Sequence, residues 1–357
     1  MTERKRKKRT QTLIFRNRPY VVSSYSLGGK KEGEGPLAGW FDCCLSDDTF
    51  GEKTWEKAES KMLKTAMTEV MARAGREREE VGAMLSGDLL NQLMSSSFMA
   101  RDMHIPFLGM YGACSTMTES LMLGSVLVDG GYSDNVIIGA SSHYCTAERQ
   151  FRMPQEHGNQ RPPSAQWTAT AAGAMLLSME DEGEKMEVDE NGDVKQLRKV
   201  RVESGTIGKV IDAGVKDANQ MGSAMAPAAV DTLLNHLQDT ERTPDYYDAI
   251  LTGDLGFIGR DIVTDLLTDA GISAEVLKRV YDDCGAMIYG KRQDVHSGGS
   301  GGGCSASVFA GYVFKRMVRG ELKRVLLIST GAMLSTISPF QGESIPGIAH
   351  AISMEAE

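Results

Sequence analysis

The sequence predicts an α/β protein built from two duplicated halves around a shared layer of buried helix. Three observations carry that prediction. Short sequence echoes recur in the same order in both halves, short apolar runs end at polar residues as buried strands do, and one helix is apolar nearly all round. At 357 residues the chain has enough material for one large domain or two ordinary ones.

The echoes set the frame. "MLSGDLLNQ" at 84–92 matches "ILTGDLGFI" at 250–258 and places Asp88 on Asp254. "YGACSTMTESL" from Tyr111 matches "GGGCSASVFAG" from Gly301 and places Cys114 on Cys304. "NVIIGAS" at 135–141 matches "RVLLIST" at 324–330. The division that follows is a basic tail over 1–12, a first half over 13–200 and a second half over 201–357.

Each unit reads as strand, helix, strand. "TWEKAESKMLKTAMTEVMARAG" predicts a helix with Trp55, Ala58, Met62, Ala66 and Val70 on one face and Gly75 as its stop. "AMLSGD" predicts a buried strand. "STMTESLMLGSVLVDGG" predicts a helix that opens at Ser115 or Thr116 and stops at Gly130–Gly131; its apolar residues on all sides call for full burial. "NVIIGAS" is then a central strand, and two helix-covered sheets sandwich the buried helices. Residues 180–199 are charged and contain the turn "ENGD", which predicts an exposed hairpin or loop.

Composition narrows the class. The chain is 41% hydrophobic and 24% charged, as soluble globular proteins are. No apolar run reaches the roughly 18–20 residues of a membrane helix, and "TLIF" is too short for a signal-peptide core, so the protein is expected on the cytosolic side of a membrane. Six cysteines show no metal-ligand spacing and are expected as free thiols. The first nine residues, "MTERKRKKR", carry a local charge of +5 within a net −9, which leaves an acidic body at −14. That body does not suit nucleic acid. The tail is either a solubilising segment or an attachment to an anionic membrane surface.

Cys114, on a small-residue turn before a helix, sits where unpaired amides and the helix dipole stabilise a thiolate and an oxyanion. The duplicated halves and the cysteine on "GAC" resemble the thiolase and ketoacyl-synthase superfamily. More narrowly, "SGDLLNQ", "YGACST", "SSHYCTAERQFR", "DANQMGSAMAPAA", "DCGAMIY" and "ESIPGIAH" are similar to the stage V sporulation protein AD family. The resemblance implies a thiolase-like five-layered αβαβα sandwich and a homodimer. It also implies a role in moving dipicolinic acid, the pyridine-2,6-dicarboxylate stored with calcium in the spore core. The partners implied are membrane-embedded sporulation stage V A proteins, at the inner forespore or spore membrane.

Working members of the superfamily pair the cysteine with two further residues from the second half, histidines among them. The positions that match here hold Asp254 and, in the Gly-rich stretch, Ser300 or Gly303. None of these replaces imidazole or carboxamide, and an Asp254 anion raises a neighbouring thiol's pKa. His296 lies a few residues away and restores catalysis only if the register shifts. The expectation is therefore a binding protein with no catalytic residue and no cofactor. The rivals are an acyltransferase or condensing enzyme that uses Cys114, and a structural scaffold for membrane partners.

The ligand-binding candidates are Asp88, Asn91, Cys114, Ser115, His143, Arg149, Asp254, Ser300 and Cys304. Amides before the helix and a basic group such as Arg149, with Arg152 and Arg161 behind it, suit a carboxylate. Phe151 and Trp167 are candidates for ring contacts. Asp88 and Asp254 are candidates for contact with ligand-borne calcium, or each caps a neighbouring loop. His143 is either a pocket residue or a satisfied structural one.

Overall fold

The same five-strand pattern is laid down twice. The computed structural model describes residues 10–151, 161–181, 186–188 and 194–357. After β1 (Thr12–Ile14), the first half supplies β2 (Tyr20–Gly28), β3 (Ala83–Gly87), β4 (Phe107–Gly109), β5 (Asn135–Ser142) and β6 (Ala171–Ser178). The second supplies β7 (Val200–Thr206), β8 (Ala249–Thr252), β9 (Tyr281–Asp283), β10 (Arg324–Ala332) and β11 (Gly347–Ala356). In space the orders are β4-β3-β5-β6-β2 and β9-β8-β10-β11-β7. In each half three strands run parallel and the other two are antiparallel to their neighbours. All three sequence echoes fall on matched elements of this duplication.

Alternation along the strands builds the layers. In β5, Val136, Ile138 and Ala140 face a central core while Ile137 faces an outer one. In β10, Val325 and Leu327 face the central core while Leu326 and Ile328 face the other outer one. Side chains of an extended strand point alternately to its two faces, so both sheets are buried on both sides.

Helices fill the three spaces so defined. α1 (Trp55–Ala74) covers the first sheet. Its Thr54 side chain accepts from Lys57 N, and Gly75 closes it at φ 62°. Ala58, Met62, Ala66 and Val70 are fully buried, but Trp55 is 37% exposed at the open end of that face. α2 (Met94–Met103) lies beside α1. α3 (Thr116–Asp129) occupies the middle, with Met117 and Leu121 in one core with Val136 and Ile352 from opposite sheets. α4 (Tyr144–Phe151) follows β5. α5 (Met221–Thr240) and α6 (Gly256–Asp269) cover the second sheet, and α7 (Gly302–Val308) is the central partner of α3. This is the expected αβαβα order.

Few contacts of the backbone join the sheets directly. β2 and β7 meet through two residue pairs, Val21 with Val200 and Tyr20 with Arg201. β1 crosses over and pairs with β7, with Leu13 opposite Gly205. Thr12 is buried and its hydroxyl meets that of Thr206 at 2.9 Å, so part of the expected tail over 1–12 is ordered chain. Residues 1–9 lie outside the described residues.

One buried acid also ties the halves. Glu32, in the loop after β2, is fully buried, and its Oε1 accepts from Tyr289 Oη and, at 3.1 Å, from Thr170 N. Its Oε2 has no partner. Burial pushes the carboxyl up to about 7. The charged stretch 180–199 forms the antiparallel pair Met186–Val188 and Val194–Gln196; its expected turn lies outside the described residues. Among the described residues no helix is long and apolar enough to cross a membrane.

Candidate functional site

The turn 112–115 delivers Cys114 to the junction of the halves. Ala113 takes the left-handed conformation, φ 51°, at a cost of roughly 1–2 kcal/mol for an L-residue. Two hydroxyls hold it there: Ser115 Oγ donates to Gly112 O and Thr116 Oγ1 to Ala113 O, both at 2.7 Å. α3 starts two residues beyond the cysteine, so its free amides and positive dipole end lie close by.

Asp254 cancels what the helix offers. It stands after β8, fully buried, and accepts from Thr330 Oγ1 (2.6 Å) and Gly301 N (3.1 Å), with the Cys114 thiol as its neighbour. Burial pushes its carboxyl up to about 6. Burial also pushes the Cys114 thiol well above its ordinary range, and the Asp254 charge and hydrogen bond push it further. Gly301 N–H is the one donor aimed at both groups. Its φ of 101° and the 2.6 Å from an added Cβ to Ser142 Oγ admit only glycine there. Cys114 is thus a buried thiol that its surroundings hold in the protonated form.

Among the described residues no imidazole compensates. His296 is exposed and outside the lining of the cavity, with Nδ1 at 2.8 Å from Pro162 O and Nε2 at 3.2 Å from Asp294. His143 is buried with Nε2 at 2.7 Å from Asp48 O and Nδ1 accepting from Cys145 N at 3.2 Å. Burial pushes its ring pKa down. It is the satisfied structural histidine and takes no part in the cavity wall.

A cavity of about 280 Å³ opens above Cys114. Asp88, Tyr111, Cys114, Glu148, Thr168 and Ser300 bring polar groups to its wall; the remainder is apolar, with Leu90, Phe151 and Met221 among the contributors. Among the described residues that line it there is no Lys, Arg or His. Ser300 Oγ is buried without a hydrogen-bond partner, an arrangement that native proteins rarely leave unanswered. Asp88 accepts from Leu90 N (2.8 Å) and Ser96 N (2.7 Å), so it caps its own loop and α2 while it faces the cavity.

Several candidates lie elsewhere. The Asn91 backbone donates to Gln150 Oε1, and its side chain is exposed outside the wall. Ser115 turns its hydroxyl back to Gly112. Arg149 pairs with Glu56 over the Trp55 ring. Cys304 points from α7 into the central core. Asp254 is spent on Cys114, Thr330 and Gly301, so it offers no open oxygen to a cation in the cavity. Arg161 donates to Asp294 O at 2.8 Å, Trp167 stacks on Tyr144 at 3.7 Å, and Arg152 lies outside the described residues. Among the described residues no group of three or more His, Cys, Asp or Glu is arranged to hold a metal ion.

Two acids had no voice in the sequence. Glu148 shares a face of α4 with Ala147 and Phe151 and enters the cavity wall with them. Glu59, on the buried face of α1, lies behind Asp88: Thr146 Oγ1 and Ser141 Oγ donate to it at 2.8 and 3.2 Å. A buried glutamate within an apolar helix stripe was the available signal.

Comparison with known proteins gives the family and the fold. The family model described as Stage V sporulation protein AD matches residues 9–355. Stage V sporulation protein AD of Bacillus subtilis (strain 168) is 41% identical over 345 residues, 97% of this chain and 96% of that protein. Among solved structures, 3-oxoacyl-[acyl-carrier-protein] synthase III from Aquifex aeolicus VF5 superposes with TM-score 0.55 at 10% identity, over 94% of this chain and 99% of that one. Xanthomonas campestris OleA with cerulenin bound superposes with TM-score 0.56 at 12% identity, over 97% and 98%. At such identities these two structures report the fold alone.

Proposed function

Because the chain belongs to the stage V sporulation protein AD family, we propose that it is a non-catalytic thiolase-fold protein that binds dipicolinic acid as its calcium chelate. It serves uptake of that ligand into the developing spore, and its release in germination. It works as a peripheral, homodimeric component beside membrane-embedded stage V A proteins.

The burial of the Cys114 thiol beside the Asp254 carboxylate is the observation that carries the reading. A nucleophilic cysteine needs surroundings that stabilise its thiolate; here burial and the Asp254 charge disfavour it. What is left is a cavity near the lower end of small-ligand sites in size, apolar enough to cover a pyridine ring. The wall sets the charge of the ligand. With Asp88 and Glu148 present and no described cation, a free dianion meets like charge, whereas its calcium chelate brings a cation to the two carboxylates. Ser300 Oγ supplies an open hydroxyl to a ligand oxygen.

Calorimetric titration with calcium dipicolinate, with dipicolinate alone and with benzoate tests this. Saturable binding of the chelate that benzoate does not mimic is expected. Ser300→Ala should weaken it by roughly tenfold, the worth of one hydrogen bond. No heat at millimolar chelate sinks the proposal. A stable acyl adduct on Cys114 after exposure to acyl-CoA would instead favour the acyltransferase reading, which the position of the thiol before α3 keeps open.

A further inference from the structure

Next to the cavity, basic side chains gather around one indole ring. Trp167 and Thr168 pair with Gly299 and Ser300 in a short parallel ladder. Thr168 and Ser300 line the cavity and Trp167 does not. Tyr144 stacks on one face of the Trp167 ring, nearly parallel to it and 3.7 Å away. Two cations also lie over this ring, Lys31 Nζ at 4.1 Å from its centre and Arg161 Cζ at 4.7 Å. With one face taken by Tyr144, both cations are left to share the other. Like charges brought this close repel, and an anion between them turns repulsion into attraction.

The ring attracts each cation but does not answer their hydrogen-bond donors. The Arg161 side chain is only 9% exposed. Its Nη2 donates to Asp294 O at 2.8 Å and stands 3.6 Å from the Asp294 carboxylate, which is itself 79% exposed. Its Nη1 is buried and has no partner. Among the described residues Lys31 Nζ has neither a hydrogen-bond nor an ion-pair partner. Gln293 Nε2 donates to Lys31 O at 2.6 Å, and Gln293 Oε1 accepts from Gly290 N at 2.7 Å, so 290–293 is held against the loop after β2. Lys30, Lys291 and Arg292 are exposed on these two loops, and among the described residues no carboxylate pairs with them. Of the acids there, Glu32 is turned inward to Tyr289, and Asp294 is shared between Arg161 and His296.

We infer that Lys31 and Arg161, backed by Trp167, form a binding site for a phosphate group, separate from the cavity. Arginine brings a planar fork and lysine a point charge, the two ways in which side chains hold phosphate. A phosphate group carries about three free acceptor oxygens and up to about two charges, enough for Nη1 and Nζ together, whereas Asp294 answers only the Nη2 edge. Lys30, Lys291 and Arg292 draw anions to this side of a chain whose net charge is −9. The same chemistry is offered by free inorganic phosphate and by a phospholipid headgroup.

The test is equilibrium dialysis of the full chain against radiolabelled inorganic phosphate at pH 7, with ionic strength held constant by chloride. The wild type should bind close to one phosphate per chain, displaced by unlabelled phosphate. Arg161→Gln and Lys31→Gln should each weaken binding roughly tenfold or more, as loss of a hydrogen bond to a charged group does. Lys209→Gln, at a lysine paired with Asp231 elsewhere, should leave it unchanged. Sedimentation with phosphatidylglycerol vesicles, with phosphatidylcholine vesicles as reference, separates the two sources. If both variants lower the fraction bound to phosphatidylglycerol and free phosphate competes there, the site takes the headgroup. Phosphate binding without that variant-dependent sedimentation assigns the site to the free anion. Lys31→Gln decides if Arg161→Gln does not fold. Absence of saturable phosphate binding at tens of millimolar overturns the inference, as does equal binding by the wild type and Lys31→Gln.

Discussion

Replacing Glu32 by Gln should flatten part of the pH dependence of stability. The carboxyl is fully buried with one orphan oxygen, and burial lifts it from an ordinary 4.5 to about 7. Between those values the folded chain keeps a proton that the unfolded chain has lost. Stability from this group is therefore full below about pH 4.5, falls as pH rises, and levels off above about 7. At about 1.4 kcal/mol per pH unit, the gap of about 2.5 units amounts to roughly 3 kcal/mol. Gln keeps an oxygen for Tyr289 and Thr170 and carries no charge at any pH. Urea unfolding of both proteins from pH 5 to 8 gives the assay, because distant groups cancel in the difference between them. Most of the 3 kcal/mol should appear as a relative gain of Glu32→Gln as pH rises. A difference that stays constant within about 0.5 kcal/mol from pH 5 to 8 would refute the argument from burial.

Other perturbations probe the site and the layers. Cys114 should alkylate slowly with iodoacetamide at pH 8, and Asp254→Asn should speed it by roughly tenfold or more by removing the adjacent anion; intact mass against time reads this out, and equal rates would contradict the pairing. Gly301→Ala should destabilise by about 2–4 kcal/mol, since φ 101° and the approach to Ser142 both exclude a Cβ; thermal melting checks it. Leu327→Ala in the central core should cost about 2–5 kcal/mol in urea midpoint terms, well above a truncation at exposed Phe340.

The layers were legible because period and order are local signals. "NVIIGAS" and "RVLLIST" are buried on both faces, and the helix from Thr116 is apolar all round, so both needed cover on two sides. The meeting of Asp254 with Cys114 was legible only in part. The repeat matched Asp254 only to Asp88; it was the superfamily resemblance that put Asp254 at the position that partners the cysteine of the first half. The arginines misled for a simple reason: a cation in sequence near a pocket helix says nothing of which side it leaves on, and Arg149 leaves toward Glu56. Glu59 was hidden because a carboxylate in a helix stripe is ordinarily exposed, and only the surrounding hydroxyls make its burial tolerable.

The crossing of β1 onto β7 sets a timetable for synthesis. Leu13 waits for Gly205, and at 5–20 residues per second a ribosome takes roughly 10–40 s to bring that partner out. During that interval the first half has its own sheet but lacks the strand that receives its beginning, and Glu32 still lacks Tyr289. Until residue 205 emerges, β2 also lacks the two residue pairs, Val21 with Val200 and Tyr20 with Arg201, that join it to β7.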